Sequence, residues 1–126
     1  SMTYAGVKSY IYAGLTRDDP RVKAAYDWIL THYTVEENPG MGQAGLFYYY
    51  HTFAKTLAVL GDLEITFPSG EKRVWGTDLS EKLLSLQKPE GYWINEQSSR
   101  WWENNKVLAT CYAVLALVET SRAYGW

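Results

Sequence analysis

Apolar residues recur every three or four positions through most of the chain, in five runs separated by glycine, proline and short polar residues. That period marks helices with one buried stripe. The first run spans Thr3 to Ala13 and stops at Gly14, a residue suited to the left-handed turn beyond a helix. The second has the clearest start, with Asp18 or Asp19 as cap and Pro20 in the first turn. Its positions Val22, Ala25, Tyr26, Ile29, Leu30 and Tyr33 form one stripe, with Lys23 and Asp27 on the wet side. The third, Leu46 to Leu60, ends at Gly61. Phe47, Tyr48, Tyr49 and Tyr50 make it bulky all round, which predicts an interior helix. The fourth follows Thr77 as cap and carries Leu79, Leu83, Leu84 and Leu86. The fifth spans Asn105 to Ala123 and gathers Val107, Leu108, Cys111, Val114, Leu115 and Val118 on one face, expected to be buried.

From Leu63 to Trp75 the period changes. Ile65 and Phe67 alternate with polar neighbours, Pro68-Ser69-Gly70 supplies a turn, and Val74 and Trp75 resume the alternation. This predicts a short β-hairpin inserted between helices. Two long connections, Thr34–Ala44 and Lys88–Asn104, precede the third and fifth helices; connections of that length fold on themselves or carry function.

The runs repeat. Thr3-Tyr4-Ala5, Thr52-Phe53-Ala54 and Thr110-Cys111-Tyr112-Ala113 each open an apolar, small-residue-rich stretch, separated by 49 and 58 residues. Asn38-Pro39-Gly40 and Lys88-Pro89-Glu90-Gly91 stand before the second and third copies. A period near fifty with two helices per unit signals stacked helical hairpins. The units fall at about 1–14, 20–61 and 77–123 in a single domain. The first interior helix begins almost at Thr3 while the others begin well before their threonine. The chain is therefore expected to be a fragment whose end helices expose apolar faces, to be covered by the rest of a parent chain or by another copy.

Composition narrows the partners. Twelve basic and 14 acidic residues give a net charge of −2 with no basic run, so a nucleic-acid footprint has little support. No stretch is long and apolar enough for a spanning helix. One cysteine, Cys111, excludes an intrachain disulfide and a cysteine zinc cage, and its place on the fifth helix predicts a core thiol. Aromatic residues make up 16% of the chain, including 6 Trp and 11 Tyr. Such an excess serves either thick seams between helices or an aromatic-lined cavity.

Two segments resemble a known superfamily. Gln87-Lys88-Pro89-Glu90-Gly91-Tyr92-Trp93 resembles the Gln–Gly–Trp motif of squalene–hopene cyclases and related triterpene cyclases. There the motif is structural: the glutamine ties down helix ends and the tryptophan stacks between layers. Gly40-Met41-Gly42 through Phe47-Tyr48, continuing to Gly61, resembles the Gly-x-Gly loop and aromatic interior helix near the C-terminal end of those cyclases. Tyr50-His51-Thr52 is similar to a segment of protein-prenyltransferase β-subunits in which the histidine binds zinc. The whole pattern most resembles bacterial prenyltransferase and squalene oxidase repeat proteins, many without a defined activity. The resemblance implies an all-α fold, a partial α/α-toroid, with Gln87, Gly91 and Trp93 as structural motif residues. It also implies an isoprenoid or other hydrophobic small molecule as ligand.

Departures from that pattern bear on chemistry. The Asp-x-Asp-Asp proton donor of hopene cyclases is absent, and Asp18-Asp19 before Pro20 reads as a helix cap. The zinc site of prenyltransferases needs an aspartate and a cysteine from a preceding unit, and His51 alone holds no metal because zinc takes at least three protein ligands. Neither metal nor cofactor is expected. Candidate cavity residues are Tyr48, His51, Trp101, Trp102 and Glu103. Trp faces would stabilise a cation, with Glu103 as base or counter-charge; alternatively the rings pack a long loop and Asn104 or Asn105 caps the helix. Only one of Tyr48, Tyr49 and Tyr50 can point into a cavity. The leading expectation is a cyclase-like toroid module without complete catalytic machinery, offering an aromatic-lined surface to a hydrophobic ligand or partner chain. The rivals are the C-terminal part of an active triterpene cyclase, an isomerase, and a self-associating scaffold. Carbohydrate-active enzymes also use α/α-toroids, so fold alone does not choose the ligand.

Overall fold

The computed structural model describes residues 1–126. Five helices carry the fold: α1 (Met2–Tyr12), α2 (Pro20–Thr31), α3 (Leu46–Leu60), α4 (Trp75–Leu86) and α5 (Lys106–Tyr124). Between α3 and α4, β1 (Glu64–Thr66) and β2 (Lys72–Val74) pair antiparallel, with Ile65 opposite Arg73. The chain is thus all-α with one short β-hairpin, as the change of period predicted.

Helix ends follow local chemistry. Asp19, not Asp18, caps α2 by accepting from the Arg21 amide at 2.9 Å. Asn105 caps α5 by accepting from the Val107 and Leu108 amides. The prediction for α4 fails: the helix starts at Trp75, and Thr77 lies inside its first turn. Trp75 is fully buried, and its indole donates to the Asp62 carbonyl at 2.6 Å. Anchoring of that ring sets the helix start two residues before any side-chain cap is available.

α3 is the interior helix. Ten of its fifteen residues are buried, and it packs on α1 at one side and α5 at the other, the α3–α5 pair being the most extensive. α2 lies against α1, and α4 against α3 and α5. Much of the aromatic excess is core. Tyr4 meets Tyr49 edge-on at 5.4 Å and Phe53 at 5.4 Å, and Phe53 meets Trp75 at 6.2 Å. Such offset and edge-to-face pairs are the favoured ring geometries.

The repeat-like character is visible in hydrogen bonds. In the first Pro-Gly loop the Asn38 amide donates to the Gly42 carbonyl and the Met41 amide to Asn38, both at 2.8 Å. In the second, Lys88 donates to Tyr92 and Gly91 to Lys88, again at 2.8 Å. Both are five-residue loops with proline second, where its fixed φ is needed and its missing N–H costs nothing. The glycine differs in place. Gly40 sits third with φ +80°, as in a type II turn, whereas Gly91 sits fourth with φ +92°.

On the helices the register is sixty residues, two more than the threonines suggest. Buried Tyr49, Phe53, Thr56 and Leu60 of α3 correspond to buried Ala109, Ala113, Ala116 and Thr120 of α5. The threonines themselves do different things. Thr52 donates to the Tyr48 carbonyl within its own helix, Thr110 pairs with the backbone of Trp93, and it is Thr56 that reaches α1, donating to the Tyr4 carbonyl at 2.8 Å.

Two expectations for α5 are overturned. The apolar face Val107, Cys111, Val114, Leu115 and Val118 is exposed, and Cys111 is therefore no core thiol. The buried stripe is the small-residue one. Alanines let α5 approach α3 closely, which larger side chains would prevent. After α4, Gln87 braces its own loop and Trp93 ties that loop back to the helix. Gln87 Nε2 donates to the Gly91 carbonyl at 3.0 Å, and the Trp93 indole, almost fully buried, donates to the Leu83 carbonyl at 2.8 Å.

Candidate functional site

The amino-terminal turn of α3 lacks its own side-chain cap, because Gly45 occupies that place with φ +67°. A helix start leaves backbone donors without intrahelical partners. Here Glu103, from the loop before α5, supplies the acceptor. Its Oε1 accepts from the Phe47 amide and its Oε2 from the Tyr48 amide, both at 2.9 Å. Asn95 Nδ2 adds a 3.3 Å contact to Oε1 and donates to the Gln43 carbonyl at 2.7 Å. Glu103 is only 1% exposed. A carboxylate on the positive end of a helix is favourably placed, and this one staples the loop before α5 to the start of α3 across 56 residues.

Directly before Glu103 the backbone is strained. Trp101 (φ 57°) and Trp102 (φ 65°) are the two non-glycine residues in the left-handed region. Each costs on the order of 1–2 kcal/mol for a side chain of this kind, so the surroundings must enforce the shape. The Trp102 amide donates to Ser99 and the Asn105 amide to Trp102. The Arg100 guanidinium stacks 4.3 Å above the Trp101 ring. Gly45 lies against the same ring, where an added Cβ would come within 2.9 Å of Trp101 Cε3. Gly45 is thus required twice, by its φ and by the approach of the indole.

These elements border a cavity of about 520 Å³ lined by Ser1, Met2, Asn38, Met41, Tyr48, Trp101, Glu103 and Tyr112. Its walls are chiefly rings and thioethers. Tyr48 meets Tyr112 edge-on at 5.7 Å, and burial pushes the Tyr112 phenol up from its ordinary range, with the Glu103 and Tyr48 charges adding to it. Asn38 is buried, and its Nδ2 donates to the Ala44 carbonyl, so its amide stiffens the Pro-Gly loop beside the cavity.

Of the five residues proposed from sequence, Tyr48, Trp101 and Glu103 border this cavity. Tyr49 and Tyr50 are buried, which leaves Tyr48 to face outward. His51 lies one turn along α3 and stacks on Tyr112 at 6.2 Å. Burial draws its pKa down, with Lys8 acting in the same direction. Trp102 is 78% exposed and packs no loop. No group of three or more histidine, cysteine, aspartate or glutamate side chains has metal-binding geometry. Sequence reasoning passed over Tyr112, Met41 and Asn95. Tyr112 carried a signal, since it lies two positions from Thr110 in the third repeat; Asn95, in an irregular loop, carried none.

Chemically the cavity offers shape and apolar surface. The one carboxylate at its wall has both oxygens committed to backbone amides, so it is poorly placed to exchange a proton with a ligand. No protein-family model, curated protein or solved structure matches this chain.

Proposed function

We propose that this chain is a terpene-cyclase-like α/α-toroid repeat module that binds a hydrophobic, isoprenoid-like small molecule in the cavity between the starts of α3 and α5, without complete catalytic machinery of its own. The observation that carries the reading is the strained Trp101, held half-exposed at the cavity wall by Gly45 and Arg100. A large ring in a costly backbone conformation that does not finish inside the core points to use at a surface. Cavity size and lining agree with small-molecule sites, which are concave, mostly apolar and a few hundred cubic ångströms in volume. The engagement of Glu103 supports binding over catalysis. Nothing in the lining selects an isoprenoid over another apolar ligand. That part rests on the Gln87–Trp93 and Gly40–Gly61 resemblances.

Titration with farnesol and with a straight-chain alcohol of equal carbon number, followed by calorimetry, tests this. Saturable one-site binding of farnesol is expected. Trp101→Ala weakens it about 10- to 100-fold, the usual worth of one large apolar contact, while the exposed neighbour Trp102→Ala changes it little. Absence of saturable binding by either alcohol, or equal affinity in Trp101→Ala, refutes the cavity as the site. Equal affinity for the two alcohols keeps the site and refutes the isoprenoid preference.

A further inference from the structure

We infer that the outward stripe of α5 is a self-association surface on which a second copy of this chain packs its own α5, antiparallel, about a two-fold axis between Tyr112 and Ala113. The inference is independent of the cavity. Val107, Val114, Leu115 and Val118, expected inside, are 37–67% exposed, with exposed Cys111 among them. At 100° per residue these five lie diametrically opposite the buried stripe Ala109, Ala113, Ala116 and Thr120. The remaining sides of α5 are occupied. Thr110 pairs with Trp93 and Tyr124 packs on Trp75 toward α4, and Tyr112 and Glu119 meet Tyr48 and Lys55 of α3.

The repeat shows what such a face receives. Sixty residues earlier the same positions are Phe47, His51, Ala54, Lys55 and Ala58 on α3, the helix that carries α5 as its neighbour. Phe47 and Ala54 are buried there. The α5 stripe is therefore the helix-receiving side of the unit, and it is more apolar than its counterpart, having traded His51 and Lys55 for Cys111 and Leu115.

Two features favour a second copy as occupant, and a third sets the strength of the pairing. First, four of the five residues pair within the stripe: in antiparallel packing about the stated axis Val107 meets Val118 and Cys111 meets Val114, apolar against apolar, and Leu115 alone falls level with a residue outside it, Thr110. A two-fold interface requires such self-complementarity. Second, charge sets the orientation. The stripe holds no charged residue between its ends, and Arg122 follows it on the same side. Antiparallel packing puts the two Arg122 side chains at opposite ends, whereas parallel packing sets them side by side. Third, the exposed apolar area of these five residues is roughly 300–400 Å², about half of what each partner contributes to a standard stable interface. So small an area limits the pairing to a weak, reversible dimer.

Sedimentation equilibrium of the 126-residue chain from micromolar to millimolar concentration tests it. A monomer–dimer equilibrium in that range is expected, with Val114→Glu remaining monomeric at every concentration. Position 114 is 45% exposed, so the variant folds, and an unchanged helical circular dichroism spectrum checks this. Cys111 provides the second readout. Across the proposed axis the two Cys111 positions are offset by three residues, about 4.5 Å along the helices, so a short bis-maleimide should join two copies in wild type and fail in Val114→Glu at equal concentration. Three results would each overturn the inference: a monomer at the highest concentration, a dimer that persists in Val114→Glu, or cross-linking that survives that substitution.

Discussion

Replacing Glu103 probes the joint between α3 and the loop before α5, which also walls the cavity. Glu103→Ala removes the acceptor of the Phe47 and Tyr48 amides while leaving those amides in the first turn of a largely buried helix. Hydrogen bonds to a charged group are worth about 1.5–3 kcal/mol each, and a stranded buried donor costs about 1–3 kcal/mol. The Phe47 amide is buried and bears the full loss, whereas the Tyr48 amide is part-buried and recovers some of it from water. The sum is about 3–4 kcal/mol, a large share of the 5–15 kcal/mol typical of a domain. For a chain of this length, at about 4 °C per kcal/mol, the thermal midpoint falls by about 12–16 °C.

Glu103→Gln separates acceptor chemistry from size. It fills the same space, yet it turns one acceptor into an amide donor aimed at a backbone N–H, so it keeps about 2–3 kcal/mol of the loss. Urea unfolding followed by circular dichroism measures all three proteins, with the exposed Glu96→Ala, which breaks only a surface pair to Lys88, as the control that leaves the midpoint unmoved. A Glu103→Ala loss below about 1 kcal/mol, or a Glu103→Gln variant as stable as wild type, refutes the assignment of Glu103 as the cap of α3.

Gly76→Ala should cost about 2–3 kcal/mol, because a Cβ there would sit 2.2 Å from Tyr124 Cε2 and drive the ring off the Gly76 amide that its hydroxyl accepts from; in a Tyr124→Leu background the added cost should fall below about 1 kcal/mol, as a double-mutant cycle would show. Tyr4→Phe should stabilise by about 1 kcal/mol in the same urea assay, since the Tyr4 hydroxyl is fully buried without a hydrogen-bond partner; a destabilised variant would contradict this. His51 adds a pH dependence. Burial first, then Lys8, holds its folded pKa below the ordinary value, so the unfolded chain binds the proton more readily. Its contribution to stability is intact above about pH 6.5 and is lost as pH falls from there through the depressed folded value. His51→Gln should flatten that part of the stability–pH curve, and an unchanged slope between pH 7 and pH 5 would remove His51 as its source.

Much of the fold was legible in the chain because it rests on local rules. The 3.6-residue period, Pro20 after Asp19, Gly61 after Leu60 and the alternation around Pro68-Ser69-Gly70 each act within a few residues, so they fix the helices and the hairpin without knowledge of the neighbours. The start of α4 escaped them because a buried indole, bonded to a carbonyl thirteen residues back, outweighed the nearby Thr77. The candidate site was half legible. That only one of three consecutive tyrosines could face outward followed from helix geometry, whereas burial of Tyr49 and Tyr50 decided that it is Tyr48. The role of Glu103 was not legible, because its partners are two backbone amides with no sequence mark.

What the sequence determined by itself was element type, hairpin position and a repeat-like helical pattern, all properties of chain segments. What only the tertiary structure decided was which side of each segment faces inward. α5 carries two stripes at helical spacing, one of valine, leucine and cysteine and one of alanine and threonine, and hydrophobicity alone favours burying the first. Close approach of α5 to α3, the most extensive helix pair, reverses that choice: two helices packed so near one another admit only small side chains between them, and the larger apolar stripe is left facing out.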